Sequence, residues 1–262
     1  MDFWNLMFKK EDWIYATAMY MRQLKVWLNP KLCSVNRKMK KKPLMGTGRE
    51  LYLLLNAPSL MEQDLSVLIG KDCMFVNRGF MHPMYKELKP KYHVFVDPKM
   101  IKGIWPVSWI DDILKMSPET LIILPLAWYN NPMFQQYHSH IYWMDHNYLQ
   151  YGLAVSGWCF RFAIRQKYNK IYFSGYDGTA NAHEMLKSAN SHFYGRDDEQ
   201  VGKSTDTMAT DLWMFARRLH DLNRFSSYCK RKGIEIVNIS YGGLLDMFER
   251  ESLLPLKDKT NL

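Results

Sequence analysis

From residue 51 onward, short apolar runs alternate with longer amphipathic stretches, and most of the apolar runs end in polar turn residues. Residues 51–56, 73–77, 92–97, 121–125, 170–174 and 234–239 read as six strands. Brief apolar runs bounded by turn signals mark strands buried on both faces. Ser59 with Glu62 three residues on has the form of a capping box and predicts a helix to about residue 69. Residues 156–167 have helical character, and 207–231 form a long amphipathic helix closed by Gly233. Strands alternating with helices predict an α/β fold, a mostly parallel sheet with helices on both faces. Ligands bind such sheets at the carboxyl ends of the strands.

Before residue 51 the pattern is different. Trp13-Ile14, Ala16-Thr17, Tyr20-Met21, Leu24 and Trp27-Leu28 recur at helical spacing, and Asn29-Pro30 is read as the stop. A basic run from Arg37 to Lys42, interrupted by Met39, ends at Pro43, and Gly46-Thr47-Gly48 reads as a linker. The chain thus divides into a helical, basic and aromatic N-terminal extension (1–48) and a single domain (49–262).

The net charge is +9, which on its face points to a nucleic-acid partner. Its distribution changes that reading. Residues 1–50 hold eleven Lys and Arg against four acids, so the remaining 212 residues carry only +2. A nearly neutral body offers no basic groove, and no nucleic-acid partner is expected. Aromatic residues interleaved with Lys and Arg suit an interfacial helix against anionic lipid. The alternative is a helix packed on its own domain or on a second subunit, with the basic run as a solvated linker. Hydrophobic residues at 47% and charged residues at 23% exclude global disorder. No apolar run approaches the roughly 18–20 residues that span a bilayer. Four scattered cysteines without a CxxC, and no signal peptide, lead us to expect reduced thiols and a cytoplasmic location, or one peripheral to the inner face of the cytoplasmic membrane.

The strand ends carry the chemistry. They read Asn56-Ala57-Pro58-Ser59, Asn77-Arg78-Gly79, Asp97-Pro98, Ser174-Gly175-Tyr176-Asp177-Gly178 and Asn238-Ile239-Ser240. Amides, hydroxyls and a helix start at Ser59 make a cradle for a nucleotide phosphate and ribose. The same residue types also simply make turns. Walker A, GxGxxG, GxSxG and Asp-x-Asp sequences are all missing. His138, His140 and His146 fall within nine residues, but their spacing fits no familiar ligand pattern. A lid or acceptor-site loop is the preferred reading there, and no metal site is expected. His192 lies in Ala189-Asn190-Ser191-His192-Phe193-Tyr194-Gly195, in a long loop after the fifth predicted strand, where a histidine can serve as a general base.

Taken in order, these segments resemble the bacterial sialyltransferases of glycosyltransferase family 42, which act in lipooligosaccharide biosynthesis. Asn56-Ala57-Pro58-Ser59-Leu60 is similar to the family's Asn-Gly-Pro-Ser-Leu opening, and Asn77 follows at the family's distance. Val94-Phe95-Val96-Asp97-Pro98, Ser156-Gly157, Lys170-Ile171-Tyr172-Phe173-Ser174-Gly175-Tyr176-Asp177 and Asn190-Ser191-His192-Phe193-Tyr194-Gly195 resemble further family segments. The resemblance covers residues 51–248. It implies a Rossmann-like, GT-A-like single domain, usually a homo-oligomer. The activity it implies is metal-independent, inverting transfer from a CMP-sugar donor to a glycan or glycolipid acceptor. Asn56, Ala57, Ser59, Asn77, Asp97, Ser156, Gly157 and Asp177 would hold donor and nucleotide. His192 would be the base, and Tyr176 and Tyr194 would stand in for the family's phosphate-stabilising tyrosines. One of those is Gly178-Thr179 here; the other has no clear counterpart, with His183 nearby. Leu55 and Ala57 replace two family glycines. The donor is therefore expected to be CMP-sialic acid or a related acidic CMP-sugar, with no cofactor. Two other readings stay open: an ATP-dependent protein of the pterin pyrophosphokinase-like or flagellin-glycosylation accessory group, and a non-catalytic membrane-surface binding module.

Overall fold

The computed structural model describes residues 3–41, 50–146, 154–179, 182, 192–195 and 205–257. Eight strands form one sheet, in which every pair of neighbours is parallel: β1 (Glu50–Leu54), β2 (Cys73–Val76), β3 (Tyr92–Val94), β4 (Leu121–Pro125), β5 (Ile141–Met144), β6 (Lys170–Ser174), β7 (Glu235–Asn238) and β8 (Glu249–Arg250). The order across the sheet is β5-β4-β3-β2-β1-β6-β7-β8. This is a Rossmann-like α/β arrangement.

Both faces are covered, and alternation along each strand decides which side chain goes where. Tyr52, Leu54, Phe75, Ile122, Leu124 and Trp143 enter one core with helices α2 (Pro30–Lys41), α4 (Tyr85–Leu88) and α5 (Trp109–Met116). Leu51, Leu53, Met74, Val94, Ile123 and Phe173 enter the other with α6 (Ala154–Arg165) and α7 (Thr205–Lys232). The runs 51–55, 73–76 and 121–125 show no polar alternation because each faces apolar side chains on both sides.

Several expectations are corrected. Two strands were not anticipated. β5 runs through Ile141-Tyr142-Trp143-Met144, inside the segment expected to be a lid or acceptor-site loop; all four residues are buried. β8 has only two residues. The helix expected from Ser59 to about residue 69 is one turn, α3 (Ser59–Glu62). Ser59 is not its cap, since Pro58 holds that position and no side chain caps the turn. The chain leaves the helix because Gln63 has stronger partners elsewhere: its Nε2 donates to the Ile239 carbonyl at 2.6 Å, and its Oε1 accepts from the Ser174 hydroxyl.

Asn29-Pro30 separates two helices, α1 (Phe3–Trp27) and α2. Asn29 Oδ1 accepts from the Leu32 backbone N–H at 3.1 Å, and Pro30 takes the first helical position. The pair is thus a helix start as much as a stop. The basic run, a solvated linker in one of the two readings of the extension, is helical as far as Lys41. Val35 and Asn36 are buried against the β5 side of the sheet while Arg37, Lys38 and Lys41 face solvent. The expected linker at 46–48 lies outside the described residues.

The extension is tied to the body by charge. Asp145, just past β5, is buried among Arg161 Nη2 at 2.6 Å, Arg165 Nη1 at 3.0 Å, Lys40 Nζ at 3.4 Å and Asn36 Nδ2 at 3.2 Å. From α1, Asp12 meets Arg217 and Arg224 of α7. Asn238, read from the sequence as a polar strand end, is buried in β7.

Candidate functional site

β1 and β6 are neighbours, but the chain moves outward from them in opposite directions: β2 to β5 on one side, β7 and β8 on the other. Such a topological switch point leaves a crevice at the carboxyl ends of the two strands. A cleft of about 840 Å³, counting its open mouth, lies there. Its walls include Asn56 and Ala57 after β1, Asn77 after β2, Ser156 in the first turn of α6, and Tyr176 and Asp177 after β6. His192, and Phe215 and Arg218 of α7, complete it.

The β1 and β6 loops are locked together. The Ala57 N–H donates to the Gly175 carbonyl at 2.9 Å. Gly175 has φ +68°, and a Cβ there would sit 2.4 Å from the Leu55 carbonyl oxygen. Only glycine allows this approach. Gly243, at φ +82°, is pressed in the same way against the Asp177 backbone. The Ser59 hydroxyl donates to the Asp177 carboxylate, which spans the two loops from the other side.

Asn77 carries the other wall. Its φ is +48°, in the left-handed region, where asparagine is among the few tolerated side chains. A buried relay holds it: His93 Nε2 donates to the Asn77 carbonyl at 2.8 Å, and the Tyr85 hydroxyl donates to His93 Nδ1 at 3.0 Å. Burial pushes the His93 pKa down to about 3, so the ring is neutral. Asn56 Nδ2 donates to the Val76 carbonyl at 3.2 Å. The Oδ1 atoms of Asn56 and Asn77 are both buried with no hydrogen-bond partner among the described residues. A buried acceptor without a donor costs stability, so two in one cleft point to a ligand bearing N–H or O–H groups.

In the same cleft, the Ser156 hydroxyl donates to the Tyr176 hydroxyl at 3.4 Å. Burial raises the Tyr176 pKa and the Arg218 charge only partly offsets it, so the phenol stays a proton donor. Arg218 Nε is buried without an acceptor among the described residues. A guanidinium and a phenol on one wall suit an anion. Arg218 was not anticipated. Its signal was present, because Phe215, Leu219 and Leu222 share its helical stripe and make it the one arginine among apolar residues that line the cleft.

His192 reaches the rim because the Phe193 N–H donates to the Asn56 carbonyl at 2.9 Å. Its ring stacks on Tyr194, centroids 5.0 Å apart. Of the residues singled out from the sequence, Asn56, Ala57, Asn77, Ser156, Tyr176, Asp177 and His192 line the cleft. Ser59, Gly157, Asp97 and Tyr194 do not. Ser59 is spent on Asp177, and Gly157 is buried within α6. Asp97 accepts from the Lys99 N–H at 2.9 Å, and Tyr194 lies under the Arg78 guanidinium. His183, Asn190 and Ser191 lie outside the described residues.

A second cavity, of about 1520 Å³ with its open space, sits beyond the ends of β3 and β4. Trp128, Trp158 and His146 line it, and α1 closes it with Arg22 and Lys25. Ser156 and Trp158, two residues apart on α6, face one cavity each. His138 packs between Tyr129 and Trp143, and His146 against Trp158. Among the described residues, no group of three His, Cys, Asp or Glu side chains is placed to hold a metal ion. The four cysteines are free.

No protein family, curated protein or solved structure matches this chain.

Proposed function

We propose that this chain is an inverting glycosyltransferase that moves sialic acid or a related acidic sugar from a CMP-sugar to a glycan hydroxyl without a metal ion. The observation that carries the reading is that two orphaned amide acceptors, Asn56 and Asn77, line the same switch-point cleft as Arg218, Tyr176 and Ser156. Asn56 and Asn77 Oδ1 would accept from the nucleoside's amino and hydroxyl groups. Arg218, Tyr176 and Ser156 would face the phosphate.

The step is a single displacement. The acceptor oxygen bonds to the anomeric carbon while the bond from that carbon to the phosphate oxygen breaks. The electron pair leaves with CMP, and the hydroxyl proton passes to the His192 imidazole. Arg218 and Tyr176 meet the charge that grows on the departing phosphate, which is the work a metal ion does in other transferases. A base in hydrogen-bond reach of the hydroxyl contributes about 10²–10⁴ in rate. The cavity under α1, which Trp128 and Trp158 help to line, would receive the acceptor sugar.

A thermal-shift series with CMP, CDP, UDP and ATP, in chelator and with magnesium, tests the class. Stabilisation by CMP above the others, undiminished by chelator, is the expected result. Stabilisation by ATP alone would reject the reading in favour of phosphoryl chemistry. His192→Ala should keep the CMP shift and lose transfer; full transfer in that variant removes His192 as the base.

A further inference from the structure

One face of the N-terminal helix packs on the body and the other is open. At about 100° per residue, Asp12, Met19 and Val26 share the inner face. Met19 and Val26 are buried, and Asp12 reaches Arg217 and Arg224. Half a turn around lies a stripe of large apolar residues in the open: Trp13, Ile14, Tyr20, Met21, Trp27 and Leu28, each between 52% and 79% exposed. Tyr20 and Trp27 touch edge to face, centroids 6.2 Å apart. So continuous an exposed apolar stripe is rare on a surface that meets only water.

Charge decides what covers it. From residue 13 to residue 41 there is no acidic residue, and Arg22, Lys25, Lys31, Arg37, Lys38, Lys40 and Lys41 all lie in that span. The nearest preceding acid, Asp12, is turned inward. A second copy docked on the stripe would bring two of these basic, acid-free spans together. An anionic surface that also accepts indole, phenol and aliphatic side chains meets both features. We propose that the outer face of α1 docks on the interface of an anionic lipid bilayer, with the helix lying in the membrane plane. The cavity that α1 closes from its inner side then stands next to the headgroups. The docking does not depend on the chemistry assigned to the cleft.

The test floats the full chain with vesicles of phosphatidylcholine alone and of equal parts phosphatidylcholine and phosphatidylglycerol. Flotation with the second and not the first, weakened by salt, is expected. Tryptophan emission should shift to the blue on binding. Replacing Arg37, Lys38 and Lys41 by Gln should weaken partition by about a hundredfold. The triple variant Trp13→Glu, Tyr20→Glu, Trp27→Glu changes only side chains more than half exposed, so it should fold with an unchanged melting temperature and no longer float. Failure of the wild type to float, or flotation of the triple variant equal to wild type, overturns the proposal. So does a wild-type dimer that the triple variant turns into a monomer with no vesicle binding by either, and so does RNA binding lost in that variant without vesicle binding.

Discussion

Asp145 is the joint between the extension, the edge of the sheet and the helix that presents Ser156. Replacing it by Asn keeps the shape and removes the charge, which leaves Arg161 and Arg165 facing each other with only 16% of each side chain exposed. Breaking a buried pair from one side costs about 3–5 kcal/mol, because the remaining charge has neither partner nor full hydration. Two guanidinia with some access to water place the expected loss near the lower end, about 3 kcal/mol. Lys40 is 51% exposed, so Lys40→Gln should cost under about 1 kcal/mol. Urea unfolding followed by circular dichroism at neutral pH measures both. The acid dependence supplies a second check. Burial alone would raise the Asp145 pKa, but Arg161, Lys40 and Arg165 outweigh it and hold the carboxyl below its ordinary value. Its contribution is therefore complete above the unfolded value of about 3.9 and is lost as the pH falls through the lower folded value. The gap between wild type and Asp145→Asn should be constant at higher pH and close only in strong acid. A loss under about 1 kcal/mol, or a gap that closes near neutrality, would refute the account of Asp145 as a buried charged anchor.

Three further outcomes are expected. Arg218→Gln should weaken CMP binding by about ten- to a hundredfold, the worth of a charged hydrogen bond, while cytidine binding measured by calorimetry is unchanged. Asn77→Gly relieves the left-handed backbone but deletes the acceptor, so the melting temperature should hold while CMP affinity drops several-fold. Gly175→Ala adds about 1–2 kcal/mol of backbone strain to a contact with the Leu55 carbonyl that cannot relax, and both melting temperature and CMP response should fall.

Much of the sheet was legible because strands buried on both faces are short, apolar and bounded by turns, as at Leu51, Cys73 and Leu121. β5 was not, because aromatic residues and flanking histidines disguised a buried run as a loop. Helix starts were read from local chemistry, and local chemistry misled where distant partners competed. Ser59 looks like a cap until Asp177, 118 residues away, takes its hydroxyl. Gln63 leaves its helix for Ile239 and Ser174. Asn56, Asn77, Tyr176 and Asp177 come together at the cleft because polar strand ends of a parallel sheet share one edge, whereas Ser156 was singled out only by the family resemblance and His192 by its long loop. Arg218 was hidden because one arginine in a long charged helix looks like its neighbours until the stripe it belongs to is placed against the cleft.

The neutral relay beneath Asn77 has a use for enzymology. His93 is held to a pKa of about 3, and His82 and His146 to about 4, all by burial. Three of the eight histidines are thus silent across the pH range in which an assay of this protein would be run. An inflection found near neutrality belongs to none of them, and the backbone that shapes the Asn77 wall keeps its geometry throughout. A pH–rate profile can then be assigned by changing one side chain at a time, beginning with His192, without first correcting for titration of the histidine beneath the Asn77 wall.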